Sequence, residues 1–157
     1  MTGKEFIKKL RSGEYLFGTR ITSSLPPWTK LPQELNLDFV FIDGEHCSLT
    51  SREIALLCQI NYSAGIVPMV RIPEPNPIYA SLAIDWGALS IVAPYVEDVE
   101  QVIKLVGAVK NKPLKGKVLQ DGLIYNQWNP KTKEYLEQHN KEHSLIINIE
   151  SVPALNN

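Results

Sequence analysis

The chain has 157 residues, 44% of them hydrophobic and 21% charged, with a formal net charge of -1 and a pI near 6.3. That content suits one globular core and argues against a disordered or fibrous chain, and the near-neutral balance carries no electrostatic footprint for nucleic acid. Cys47 and Cys58 are too few for a disulfide framework, the polar Met-Thr-Gly-Lys-Glu start is unlike a signal peptide, and no apolar run approaches the roughly 20 residues of a membrane span, so the expectation is a cytoplasmic protein that engages neither nucleic acid nor membrane.

Thr2 and Glu5 form a capping-box pattern ahead of Phe6, Ile7 and Leu10 and predict a first helix. A strand is predicted over Tyr15–Ile21 and a second over Asp38–Asp43, whose FVFI core is a continuous apolar run of the kind buried on both faces. Thr50 and Glu53 repeat the capping box before Ile54, Leu57 and Ile60. The turn signal Ser63-Ala-Gly65 precedes a third strand, Val67–Ile72, and Pro77 opens a helix to about Asp85. Leu89–Ala93 reads as the fourth strand, and Glu97 or Asp98 starts a helix carrying Val102, Leu105 and Val109. Beyond the turn at Asn111-Lys-Pro113, Lys117–Leu119 reads as a short fifth strand, Lys131–Gln138 as a polar helix and Leu145–Glu150 as a sixth strand. The lysine clusters at Lys8, Lys9 and Arg11 and at Lys110, Lys112, Lys115 and Lys117 read as solvated faces.

Strands alternating with helices imply an α/β fold with a parallel sheet, either doubly wound or closed as a TIM-type (β/α) barrel. Arg20-Ile-Thr-Ser-Ser-Leu-Pro-Pro stands after the first strand where a dinucleotide-binding fold would carry a glycine-rich phosphate loop, which favours the barrel. In barrels, catalytic groups project from the carboxyl ends of strands. Here Asp43-Gly44-Glu45-His46 follows FVFI, Arg71 follows PMV, and Asn148 and Glu150, two apart and so on one side of their strand, follow LII. Singly, each has a structural reading: a strand-end acid is often a helix cap, and Arg71 could merely pair with Asp43. A base, acids and a guanidinium converging on one rim point jointly to a site.

These segments, FVFIDGEHCSLT, VPMVRIPEPNP, DWGALSIVAPYVEDVEQV and IINIES, in this order over about residues 15 to 155, resemble the HpcH/HpaI aldolases. The resemblance implies a carbon–carbon lyase, an aldolase that cleaves a 4-hydroxy-2-oxo acid to pyruvate and an aldehyde through a metal-stabilised enolate. On that likeness His46, oriented by Asp43, is the acid/base at the aldol hydroxyl, and Arg71 binds the pyruvate carbonyl side. Glu150 is a ligand of a divalent metal, Mg²⁺ or Mn²⁺ first and Co²⁺ or Zn²⁺ as alternatives. Asn148 stands by the pyruvate moiety where the family has Gln, and Asp85 helps build a neighbouring subunit's site in a homo-oligomer. Gly116-Lys117 replaces the family's Gly-Arg. Since a closed barrel has eight strands and about 250 residues, the expectation is a single domain over 1–157 holding six of eight βα units, truncated at its C-terminus with the second metal carboxylate beyond it. Two other readings are a citrate-synthase-like condensing enzyme on the same fold and a non-catalytic truncated barrel whose open edge is covered by a partner.

Overall fold

Both capping boxes form. In the computed structural model, which describes every residue except Asn126 and the side chain of Thr29, the Thr2 hydroxyl accepts the Glu5 N–H and the Glu5 carboxylate accepts the Thr2 N–H at 2.7 Å, starting α1, Gly3–Ser12. Thr50 and Glu53 do the same for α3, Ser51–Ser63, which follows β1 (Gly18–Ile21), α2 (Pro27–Glu34) and β2 (Phe39–Asp43). The alternation continues through β3 (Val67–Arg71), α4 (Pro77–Asp85), β4 (Ser90–Ala93) and α5 (Val99–Lys110). Then come α6 (Gly116–Tyr125), α7 (Pro130–His139), β5 (Ser144–Ile147) and α8 (Val152–Asn156). Asp98 caps α5 in a third box, with Gln101.

The five strands among the described residues form one sheet in chain order, every neighbouring pair parallel. Because side chains alternate along a strand, the sheet sorts its residues between two cores. Val40, Ile42, Val70, Ile91 and Ala93 face the helical layer and pack with Leu57, Ala80 and Leu105. Phe39, Phe41, Val67, Met69 and Val92 face the other way, where α1 lays Phe6 across them with its ring 5.9 Å from that of Phe39.

The predicted strand at Lys117–Leu119 is overturned: these residues lie in α6. Leu119 and Leu123 are one helical turn apart and both pack over Gly107 of α5, so the short apolar run belongs to a period near four. Consequently β4 pairs directly with the strand predicted as the sixth, and five strands stand where six were expected. Boundaries also shift. The first strand starts at Gly18, leaving Tyr15 and Phe17 exposed, and the last ends at Ile147, with Asn148–Glu150 beyond it. Closing an eight-stranded barrel would take three further strands, so this is an incomplete barrel.

No helix among the described residues is long and apolar enough to cross a membrane. Cys58 is fully buried in the helix-side core, and burial pushes its thiol up to about 12, whereas Cys47 is partly exposed on the rim. A disulfide-exchange reagent is therefore expected to titrate only Cys47 in the native protein and Cys58 only after denaturation; equal rates for both thiols would contradict this burial.

Candidate active site

The parity that builds the two cores also selects the side chains that meet at the carboxyl end of the sheet. Asp43 follows Phe39 and Phe41 on the α1-facing side and is aligned with Arg71, while Arg20 is aligned with Phe41. Asn148, whose N–H donates to the Ala93 carbonyl at 3.0 Å, continues the same side of β5. Strands β1, β2, β3 and β5 thus send polar or charged groups to one rim of one face.

Asp43 is the hub. Its side chain is fully buried, and Arg71 grips it bidentately, Nε donating to Oδ1 at 2.9 Å and Nη2 to Oδ2 at 2.7 Å. Arg20 pairs with Oδ2, and the N–H groups of Glu45 and His46 donate to Oδ1 at 3.1 and 3.2 Å. Burial pushes the Asp43 carboxyl up, but these bonds, led by that of Arg71, prevail and hold it well below the usual carboxylate range. The same contact with Asp43 raises the pKa of Arg71.

Arg71 has a second acid partner, Glu45, at 3.0 Å from Nη1, and its Cζ lies 5.4 Å from the centre of the Phe41 ring. Fixed on three sides, the guanidinium keeps N–H groups on its terminal nitrogens for another ligand. Glu45 reaches His46 as well, with Oε2 3.6 Å from Nε2, and the imidazole is 63% exposed at the mouth. Asp43 therefore positions His46 through the backbone of the turn, not through the ring. Glu150 is exposed, lies within electrostatic reach of Arg71, and accepts a hydrogen bond from Asn148 Nδ2 at 2.7 Å. Tyr95, beyond the end of β4, adopts the left-handed backbone (φ 49°) uncommon for a bulky residue.

Asp43, His46, Arg71, Asn148 and Glu150 are thus brought to one rim. Asp85 is not: it ends α4 at the opposite end of the sheet, paired with Lys112. Arg20 and Glu45 belong to the cluster although the sequence reading gives them no individual role. Arg20 was findable from alternation, since it precedes the buried Ile21 and must point the other way; the contact of Glu45 depends on the turn. Among the described residues no group of three His, Cys, Asp or Glu could hold a metal ion.

Gly44 makes the turn possible. Its N–H donates to the Arg71 carbonyl at 2.9 Å, and a Cβ on it would lie 2.6 Å from that oxygen. Gly44→Ala is expected to cost about 1–3 kcal/mol by separating the ends of β2 and β3, seen as a lower denaturation midpoint; an unchanged midpoint would show that the turn has slack.

A sequence model described as HpcH/HpaI aldolase/citrate lyase matches residues 26–157. The chain is 30% identical over 123 residues to the 2-dehydro-3,6-dideoxy-6-sulfogluconate aldolase of Pseudomonas putida, covering 76% of this chain and 47% of that one. The crystal structure of an HpcH/HpaI aldolase from Desulfitobacterium hafniense superposes with a TM-score of 0.74 at 28% identity, covering 96% of this chain and 58% of the other. That of a citrate synthase gives 0.76 at 25% identity over 99% and 58%. The chain spans about half the length of the proteins it matches.

Proposed function

Because the chain belongs to the HpcH/HpaI aldolase/citrate lyase family, we propose that it carries the substrate-facing rim of a lyase that cleaves a 4-hydroxy-2-oxo acid to pyruvate and an aldehyde. The observation that carries this reading is the immobilised Arg71 guanidinium, anchored on Asp43 and Glu45 with donors left over on the rim. In the retro-aldol step a base removes the 4-hydroxyl proton and the C3–C4 bond breaks. The aldehyde leaves and the electron pair moves into an enolate, whose C3 then takes a proton to give pyruvate. His46 is assigned the hydroxyl proton, being the rim's imidazole and within 3.6 Å of Glu45. Arg71 answers the charge developing on the enolate oxygen, and Asn148 is assigned to the pyruvate portion. Asp85, at the opposite end of its own sheet, would act only on a neighbouring copy in a homo-oligomer.

A divalent cation, Mg²⁺ or Mn²⁺, is part of the proposal, with Glu150 as its ligand from this chain; bound, it would supply Lewis-acid polarisation of the 2-oxo acid. One carboxylate is not a complete site, and the described residues offer no group of three ligands. Residues 1–157 are accordingly expected to bind these ions only weakly, with dissociation constants of about 10⁻³ M or more, because hard cations held by one carboxylate keep most of their water. Calorimetry giving micromolar binding would overturn that assignment.

A second reading keeps the enolate and runs towards condensation with an oxo-diacid such as oxaloacetate. The observation favouring it is Arg20, a further guanidinium on the Asp43 carboxylate, half-exposed and able to meet an additional carboxylate. Lactate dehydrogenase-coupled detection of pyruvate from a 4-hydroxy-2-oxo acid, with Mg²⁺ or Mn²⁺ and then with a chelator, separates the two. Metal-dependent release supports the aldolase; metal-independent condensation with oxaloacetate, without release, replaces it.

A further inference from the structure

The largest cavity described, about 840 Å³, lies at the other end of the sheet from the charged rim, bounded by α1, α5, α6 and the segments around Trp128 and Asn140. Its volume is that of a small-molecule site. Lys4, Ile7, Lys8 and Arg11 line it from α1, and their spacing puts them on one helix face, a different face from that of Phe6, which is buried against the sheet. Lys110 and Lys141 complete the cationic wall, and no acidic residue lines the cavity. Ile7, Val106, Leu123 and Trp128 supply an apolar surface. The Trp128 ring packs so closely against Gly122 that there is no room for a Cβ there.

Basic residues near helix C-termini often do no more than cap carbonyls, and Lys110 does so, donating to the carbonyls of Asn140 and His143. Lys4, Lys8, Arg11 and Lys141 do not: among the described residues none of them forms an ion pair or a side-chain hydrogen bond. Four unneutralised cations around an apolar hollow make a surface that favours an anion. The Asn140 side-chain oxygen, buried at this cavity, also has no hydrogen-bond partner among the described residues and could accept from a ligand hydroxyl.

We propose that this cavity binds an amphipathic anion, a flat apolar body carrying a phosphate or carboxylate, at a site separate from the lyase rim. The apolar body lies between Ile7, Leu123 and Trp128, and the anionic head meets Lys8 and Arg11. The test titrates residues 1–157 with 1-naphthyl phosphate, neutral 1-naphthol and inorganic phosphate, following heat by calorimetry. Saturable binding of the ester is expected, weakening as salt is raised, with naphthol and inorganic phosphate each about tenfold weaker or more. Lys8→Glu/Arg11→Glu, at exposed positions, should weaken the ester about tenfold or more, with circular dichroism confirming the fold; Lys4→Gln/Lys141→Gln, also exposed, serves as a second, milder variant. Naphthol binding as tightly as the ester, inorganic phosphate equalling it, or undiminished affinity in both variants would overturn the proposal.

Discussion

Replacing Arg71 by alanine is expected to lower aldolase turnover by about 10²- to 10³-fold, in any preparation that shows that turnover, and to destabilise the fold as well. The catalytic loss follows from removing the fixed cation facing the enolate oxygen. The stability loss follows from burial: the Asp43 side chain is fully buried and that of Arg71 only 14% exposed, and breaking such a pair leaves an uncompensated charge at a cost of about 3–5 kcal/mol. Arg20 still reaches Asp43, so the lower end of that range is expected. Arg71→Lys separates the two effects, because an ammonium keeps the charge but cannot form the two-pronged contact; it should recover part of the stability and little of the turnover. Steady-state kinetics beside urea denaturation measures both. An alanine variant with near-normal turnover would remove Arg71 from the mechanism, and one with an unchanged midpoint would remove it from the rim's support.

Loss of the Asp43 carboxylate is expected to be the most damaging single change to the rim. Five contacts converge on it, from two guanidinium groups and two turn N–H groups. Asp43→Ala would strand Arg71 in a largely buried position, costing about 3 kcal/mol or more, and would release the turn that carries His46. Asp43→Asn keeps the shape and tests the charge. The folded carboxyl titrates well below its ordinary value of 3.8, so its stabilisation is present in full above about pH 4 and is lost as pH falls towards the folded value. The native protein should therefore lose stability on acidification below about pH 4, and the Asn variant, weaker at neutral pH, should show a flatter acid limb. Denaturant midpoints across that range decide it: parallel profiles would mean that Asp43 is not the group held low.

Much of this architecture was readable along the chain because local chemistry and tertiary demand agree. Thr2 and Thr50 cap their helices through their own side chains, and FVFI is apolar enough to be buried on both faces, so neighbours in sequence suffice. Where the signal was short and ambiguous it failed. Lys117–Leu119 looked like a strand because three residues cannot display a period, and only the packing of Leu119 and Leu123 over Gly107 makes them helical. The helices over Pro27–Glu34 and Val152–Asn156 were also unforeseen.

The sequence by itself determined the α/β class, the parallel sense of the strands and the segments after β2, β3 and β5 that bear Asp43, His46, Arg71, Asn148 and Glu150, since alternation and capping are properties of adjacent residues. Only the tertiary structure decided which of those groups meet. Register puts Asp43 opposite Arg71, the pairing of β1 with β2 brings Arg20 to the Asp43 carboxylate, the Gly44 turn delivers Glu45 to Arg71, and helix direction carries Asp85 to the other end. Those are relations between segments far apart in the chain, set by hydrogen-bond pairing between strands and by packing of the helical layer, and nothing in the residues immediately around each one encodes them.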